Sequence, residues 1–141
     1  MTTVRVLRGR AQLGMAIEPA TITIEDDRIA RIDRGHLNTG NFDQSVIVED
    51  VDIISAGMID LQVNGGTGAE IGDDAGAIDT VSRWLPETGV TAWLPTVVTA
   101  AADVYPGVFA AWYRIDPDAG ATPLGYHLEG PFLAPAKKGA H

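Results

Sequence analysis

The 141-residue sequence contains no cysteine. Disulfides, thiolate metal sites and cysteine nucleophiles are therefore excluded. A chain without thiols fits a reducing compartment, and a cytoplasmic protein is the expectation. Basic residues are scarce too: 10 Lys and Arg stand against 19 Asp and Glu, a net charge of −9. Such a field repels nucleic acid and anionic membrane surfaces, so neither is expected as a partner. A small anionic substrate stays compatible with it, because local groups override a global charge. No apolar run approaches the roughly 20 residues that a membrane helix needs. The N-terminus, MTTVRVLRGRAQLG, has scattered arginines where a signal peptide would have an apolar core. A P-loop is missing as well, since Gly65-Gly66-Thr67-Gly68 lacks the lysine and the spacing. Asp60 follows Ile59 inside an apolar run, and no Ser-His-Asp constellation is readable. Apolar residues, by contrast, make up 45% of the chain, enough to bury a core.

The first fifty residues read as short strands. Thr21–Glu25 alternates with period two, Asp26-Asp27 supplies a turn, and Arg28–Asp33 alternates again, which predicts a hairpin. Gly35–Gln44 is polar and turn-rich, a surface loop that carries His36. Val46–Val48 and Ile53–Ile54 return to β-branched residues. After Ser55 the texture changes. Met58–Val63 is an apolar run ending in the turn Asn64-Gly65-Gly66. Asp73-Asp74 can cap a helix over Ala75–Thr88, with Ile78, Val81 and Leu85 on one face, Pro86 awkward in its last turn and Gly89 as its stop. Val90–Leu94 is expected to be a buried strand that Pro95 ends. A second helix is expected over Ala102–Tyr113, with Val104, Val108, Ala111 and Trp112 on one side and Pro106 in its first turn. A third strand is expected over Leu124–Leu128. Strand, helix, strand, helix, strand implies an α/β fold with a parallel sheet. Gln62, Asn64, Thr96 and Glu129 then fall just beyond the carboxyl ends of the strands, where such folds build sites.

Glu129 ends an apolar strand and precedes Gly130-Pro131-Phe132. A carboxylate there is costly unless it is paired or bound to a metal. His127 lies two residues earlier on the same face, so the pair suits a divalent ion, with the imidazole as a second ligand or as a support for the first. Equally, Glu129 could cap a neighbouring helix or pair with Lys137. Gln62 and Asn64 repeat this spacing on the first strand. Amides are poor zinc ligands but good hydrogen-bond partners for a substrate or a water; alternatively, they satisfy the turn at Gly65-Gly66. Lys137-Lys138 either draws an anionic substrate or lies in a solvated loop.

Three segments, SAGMIDLQVNGG (Ser55–Gly66), TGVTAWLPTVVTA (Thr88–Ala100) and YHLEGPFLAPAKKGAH (Tyr126–His141), resemble N-acetylglucosamine-6-phosphate deacetylases, of the amidohydrolase superfamily. The resemblance runs from about residue 50 to the end, and its third motif is the most specific. It implies a small N-terminal β-sandwich portion over residues 1–54, then the first three strands of a (β/α)8 barrel over 55–141, incomplete in this chain. It also implies that Glu129 is a metal ligand and that Ala140 and His141 contact the sugar. Gln62 and Asn64 occupy the place of the His-x-His pair of other amidohydrolases, which implies one divalent metal ion, zinc or similar, with Gln62 and Asn64 as substrate-binding groups and His127 in support behind the ligands. The implied substrate is an amino-sugar phosphate and the implied reaction is hydrolysis of its N-acetyl group. The full-length family is expected to be a homodimer.

A barrel of this kind takes about 250 residues. The family's two metal-binding histidines, its proton-shuttling aspartate and its main phosphate-binding residues are expected to lie beyond His141, so no catalytic residue is assigned here. One carboxylate does not hold a catalytic zinc, which takes three protein ligands plus water. The 141-residue chain alone is therefore expected to be inactive. Other readings are a different amidohydrolase (an N-acyl amino-acid deacylase or a dihydroorotase-like enzyme), against which Gln62 and Asn64 count, or a non-catalytic module that binds or assembles through an open sheet edge.

Overall fold

The computed structural model describes residues 3–36 and 45–139. The chain divides into two compact units, Met1–Ala56 and Gly57–His141.

The first unit is a four-stranded sheet of β1 (Val4–Leu13), β2 (Ala16–Glu25), β3 (Arg28–Arg34) and β4 (Ile47–Ile54), in the order β3-β2-β1-β4. The expected hairpin is β2–β3, turning on Asp26, which takes a positive φ of 54°. Sequence reading missed β1, the partner of β2 over ten residue pairs and of β4 in parallel. Its arginines break the alternation, yet each lies beside an acid. Arg5 pairs with Glu49 at 2.7 Å, and Arg8 grips Asp50 with two bonds of 2.7 and 2.6 Å. The sheet is a single layer. Ala11, Ala20 and Ile22 are buried on its aliphatic face, beside a cavity of about 300 Å³ lined by Leu7, Leu13, Ile24 and Ile54. A sandwich places a second sheet on such a face, and among the described residues this unit supplies one sheet. Residues 37–44 of the expected surface loop lie outside the described residues.

The bond from Arg8, helped by its charge and by His36 against a desolvation cost, holds the Asp50 carboxyl below its ordinary range. A depressed folded pKa means that the pair stabilises the fold above the ordinary carboxylate range and stops doing so as pH falls through the folded value. Arg8→Gln is expected to move the Asp50 titration upward in an NMR pH series. An unmoved titration would show that the pair is not formed in solution.

In the second unit, β5 (Met58–Val63), β8 (Val90–Val97) and β10 (His127–Leu128) run parallel, β8 in the centre, and β9 (Thr122–Pro123) also pairs with β8. Between β5 and β8 come the short strands β6 (Gly65–Gly66) and β7 (Ala69–Glu70) and then helix α1 (Ala75–Trp84); α2 (Tyr105–Ala111) follows β8. The alternating parallel arrangement is the one expected. Asp74 caps α1, its Oδ1 accepting the Gly76 amide at 2.9 Å, and Ile78, Val81 and Leu85 are buried. Pro86 is accommodated because the α-helix stops at Trp84 and continues as a 3₁₀ turn over Leu85–Thr88. Gly89, at φ 85°, closes it in the left-handed conformation that glycine adopts without strain.

Three expectations need correction. Pro95 does not end β8, which continues to Val97. It sits beside an irregularity in the β5–β8 register, where a missing N–H leaves no gap in the ladder. The second helix begins at Tyr105, not Ala102, with Pro106 as its second residue. Tyr105, Val108 and Ala111 form its buried face, Val104 stays exposed, and residues 112–114 are a 3₁₀ turn. The third strand is reduced to the two-residue pieces β9 and β10, because Gly125, at φ 150°, lies between them. The core gathers Val63, Ile78, Val81, Val97 and Val108 around Trp93, which is wholly buried. Its indole N–H is shared between Ser82 Oγ and the Ala121 carbonyl, each at 3.2 Å. Among the described residues no helix is long and apolar enough to cross a membrane.

Candidate active site

The carboxyl ends of β5, β8 and β10 converge, as parallel strands with helical crossovers require. Glu129 is fixed there from both sides. Its amide donates to the Val97 carbonyl at 3.1 Å, tying it to the end of β8. The next residue, Gly130, packs so closely on Thr99 that an added Cβ would lie 2.6 Å from Thr99 Cγ2. Only glycine fits at that approach.

Two amides then meet the carboxylate. Gln62 Nε2 donates to Glu129 Oε1 at 2.9 Å, and Asn64 Nδ2 donates to the same oxygen at 3.0 Å. Both lone pairs of Oε1 are thereby engaged. Charge-assisted bonds of this kind are about twice as strong as neutral ones, so the carboxylate is oriented as well as stabilised. Asn64 also reaches the Thr96 carbonyl at 3.5 Å. Of the two sequence readings for Gln62 and Asn64, hydrogen bonding into the site is the one that the side chains make. The turn is satisfied otherwise: the Asn64 carbonyl accepts from Ile71, and Thr67-Gly68, both at positive φ, close the β6–β7 hairpin. That hairpin lies against Trp84, whose ring would meet an added Cβ on Gly66 at 2.7 Å.

His127 is drawn elsewhere. Its Nδ1 lies 2.9 Å from the Leu61 carbonyl. A carbonyl only accepts, so this contact requires the tautomer with the proton on Nδ1. Tyr126, just before it, donates its hydroxyl to the Val108 carbonyl at 2.8 Å and packs edge-on to Phe109, with Trp112 also close. Burial pushes the Tyr126 phenol above its usual range, with the charge of Arg114 opposing. Lys137 lies in an exposed 3₁₀ turn. Ala140 and His141, the expected sugar contacts, lie outside the described residues.

The donor set decides how far a metal fits. Among the described residues no group of three His, Cys, Asp or Glu side chains is placed to hold an ion. Glu129 suits one ligand of a divalent cation; Gln62 and Asn64 present N–H groups to it and serve as orienting donors.

Comparison with known proteins carries the assignment further. No family model matches the chain. A bovine N-acetylglucosamine-6-phosphate deacetylase is 33% identical over 99% of this chain, which spans 34% of that relative. The chain is a relative of the N-acetylglucosamine-6-phosphate deacetylases. It spans about a third of the length of these deacetylases. An N-acetylgalactosamine-6-phosphate deacetylase of Escherichia coli O157:H7 is 38% identical over 69% of this chain and is covered to 26%. The crystal structure of the Pasteurella multocida N-acetylglucosamine-6-phosphate deacetylase matches 98% of this chain with a TM-score of 0.82, and the chain covers 37% of it. At 22% identity that match shows a shared fold. The deacetylase-like strand ends Gln62-x-Asn64 and Glu129 are thus both similar in sequence to deacetylases and joined in space.

Proposed function

We propose that Gln62, Asn64 and Glu129 form one corner of the active site of a metal-dependent deacetylase that hydrolyses N-acetylglucosamine 6-phosphate to glucosamine 6-phosphate and acetate. The observation that carries this reading is the convergence of two strand-end amides on one carboxylate oxygen. A divalent ion such as zinc, when bound, supplies polarisation of the amide carbonyl and an activated water. Glu129 gives that ion one ligand. Gln62 and Asn64 hold the carboxylate in place and present polar groups to the substrate, and Ala140 and His141 contact the sugar. His127 supports the site through the β5 backbone. The barrel arrangement, a homodimeric whole protein and a cytoplasmic location belong to the same reading. So does the incompleteness: one carboxylate falls short of the three ligands of a catalytic zinc site, so the 141-residue chain alone does not deacetylate.

The test is a chimera in which this sequence replaces the region it matches in the bovine relative. Folded, zinc-loaded chimera is expected to release acetate from N-acetylglucosamine 6-phosphate faster than from N-acetylgalactosamine 6-phosphate, and the 141-residue chain to release none. A folded chimera with bound zinc and no acetate release would overturn the function. Acetate release by the chain alone would overturn the incompleteness.

A further inference from the structure

We propose that Asp60, Thr96 and His127 act together as positioning residues, clamping a one-residue bulge in β5 that aims Gln62 and Asn64 at Glu129. The inference rests on the deacetylase reading only for what the aimed amides are for; the clamp itself is argued from the backbone.

The register shows the bulge. Asp60 faces Trp93 and Val63 faces Pro95, so three steps along β5 match two along β8. The extra residue falls at Leu61-Gln62. A bulge re-aims side chains and takes backbone groups out of the ladder, and it often lies beside an active site. Each such group costs free energy unless something else pairs with it. Here three side chains do so. Asp60 Oδ1 accepts the Gln62 amide at 3.0 Å. Thr96 Oγ1 accepts the Val63 amide at 3.0 Å and donates to the Leu94 carbonyl at 3.0 Å. His127 Nδ1 donates to the Leu61 carbonyl at 2.9 Å. The clamp therefore draws on the central strand, on β10 and on β5 itself.

Pro95 makes the arrangement necessary on the β8 side. It has no N–H to offer the partner strand, and Thr96, fully buried, supplies the local polar group instead. Without the extra residue, the alternation of a regular strand would carry the positions after it to the opposite face. With it, Gln62 and Asn64 both reach the same Glu129 oxygen. None of Asp60, Thr96 and His127 is shown bonded to Glu129; each acts through the β5 backbone.

The test is NMR on the 141-residue chain without metal. In the wild-type chain the Gln62 and Val63 backbone amides are expected to exchange slowly with solvent, although the bulge takes them out of the ladder. Exchange at the rate of an open amide would overturn the clamp, whatever the variants do. Thr96→Val keeps the shape and removes the hydroxyl. It is expected to move the side-chain amide signals of Gln62 and Asn64 towards those of free amides while the near-ultraviolet signal of the buried tryptophan persists. Thr96→Ser, which keeps the hydroxyl, is expected to restore the wild-type positions. Unmoved amide signals in Thr96→Val, or no rescue by serine, would overturn the proposal. A separate Mn²⁺ titration distinguishes the two readings. If the amides respond to Thr96→Val but Mn²⁺ broadens nothing near Glu129, the clamp stands and the deacetylase reading falls.

Discussion

Trp93→Ala is expected to unfold the Gly57–His141 unit, or to leave it close to its midpoint at room temperature. Large aromatic-to-alanine changes in a packed core cost about 3–5 kcal/mol, against a whole-domain margin of about 5–15 kcal/mol. Trp93 sits at the upper end for two reasons. It is fully buried at the centre of the cluster formed by α1, α2 and the parallel strands. Its N–H also satisfies Ser82, itself buried, and the Ala121 carbonyl, so truncation strands both. Trp93→Phe keeps much of the apolar contact and loses only the donor, and about 1–3 kcal/mol is the expected cost. Urea unfolding followed by far-ultraviolet circular dichroism measures both. Equal losses for the two variants would show that the hydrogen bond, and not the packing, dominates.

Glu129→Gln is expected to abolish any divalent-cation response of the strand ends while leaving their geometry intact. The reasoning turns on what glutamine keeps. Its carbonyl oxygen still accepts from Gln62 and Asn64, so the arrangement around Oε1 survives the change. The negative charge is gone, and with it the hard anionic ligand that a divalent ion requires. In an NMR titration with Mn²⁺, the variant is therefore expected to show wild-type side-chain amide positions for Gln62 and Asn64 and none of the broadening. Undiminished broadening in Glu129→Gln would place the cation elsewhere.

Local chemistry made much of the second unit legible in the sequence. The Asp74 cap, the Ile78-Val81-Leu85 stripe and the Gly89 stop each depend on a few neighbouring residues, and each is found in place. The β2–β3 hairpin was readable for the same reason, from Asp26-Asp27 between two alternating runs. What escaped depends on distant partners. β1 looked too charged to be a strand because the acids that match Arg5 and Arg8 lie about forty residues away, on β4. Pro95 looked like a stop because its tolerance depends on the register of the adjacent strand.

The same division runs through the site. Gln62, Asn64, Thr96 and Glu129 could be placed at strand ends from spacing alone, since alternation and the parallel order fix the edge on which they emerge. That the two amides share a single carboxylate oxygen could not be read, because a bulge is a property of two paired strands. Asp60 illustrates this. In the sequence it is an acid inside an apolar run; in the fold its carboxylate takes the Gln62 amide that the bulge removes from the ladder. His127 had been paired with Glu129 on the strength of alternation, yet its Nδ1 meets the Leu61 backbone.

The most direct test of the account is where a divalent cation settles on the wild-type chain. An NMR titration with Mn²⁺ is expected to broaden first the backbone signal of Glu129 and the side-chain amides of Gln62 and Asn64, with weak affinity, as a single carboxylate implies. Broadening centred on another acidic group, such as Asp73 and Asp74 at the start of α1, with the Glu129 region untouched, would contradict it.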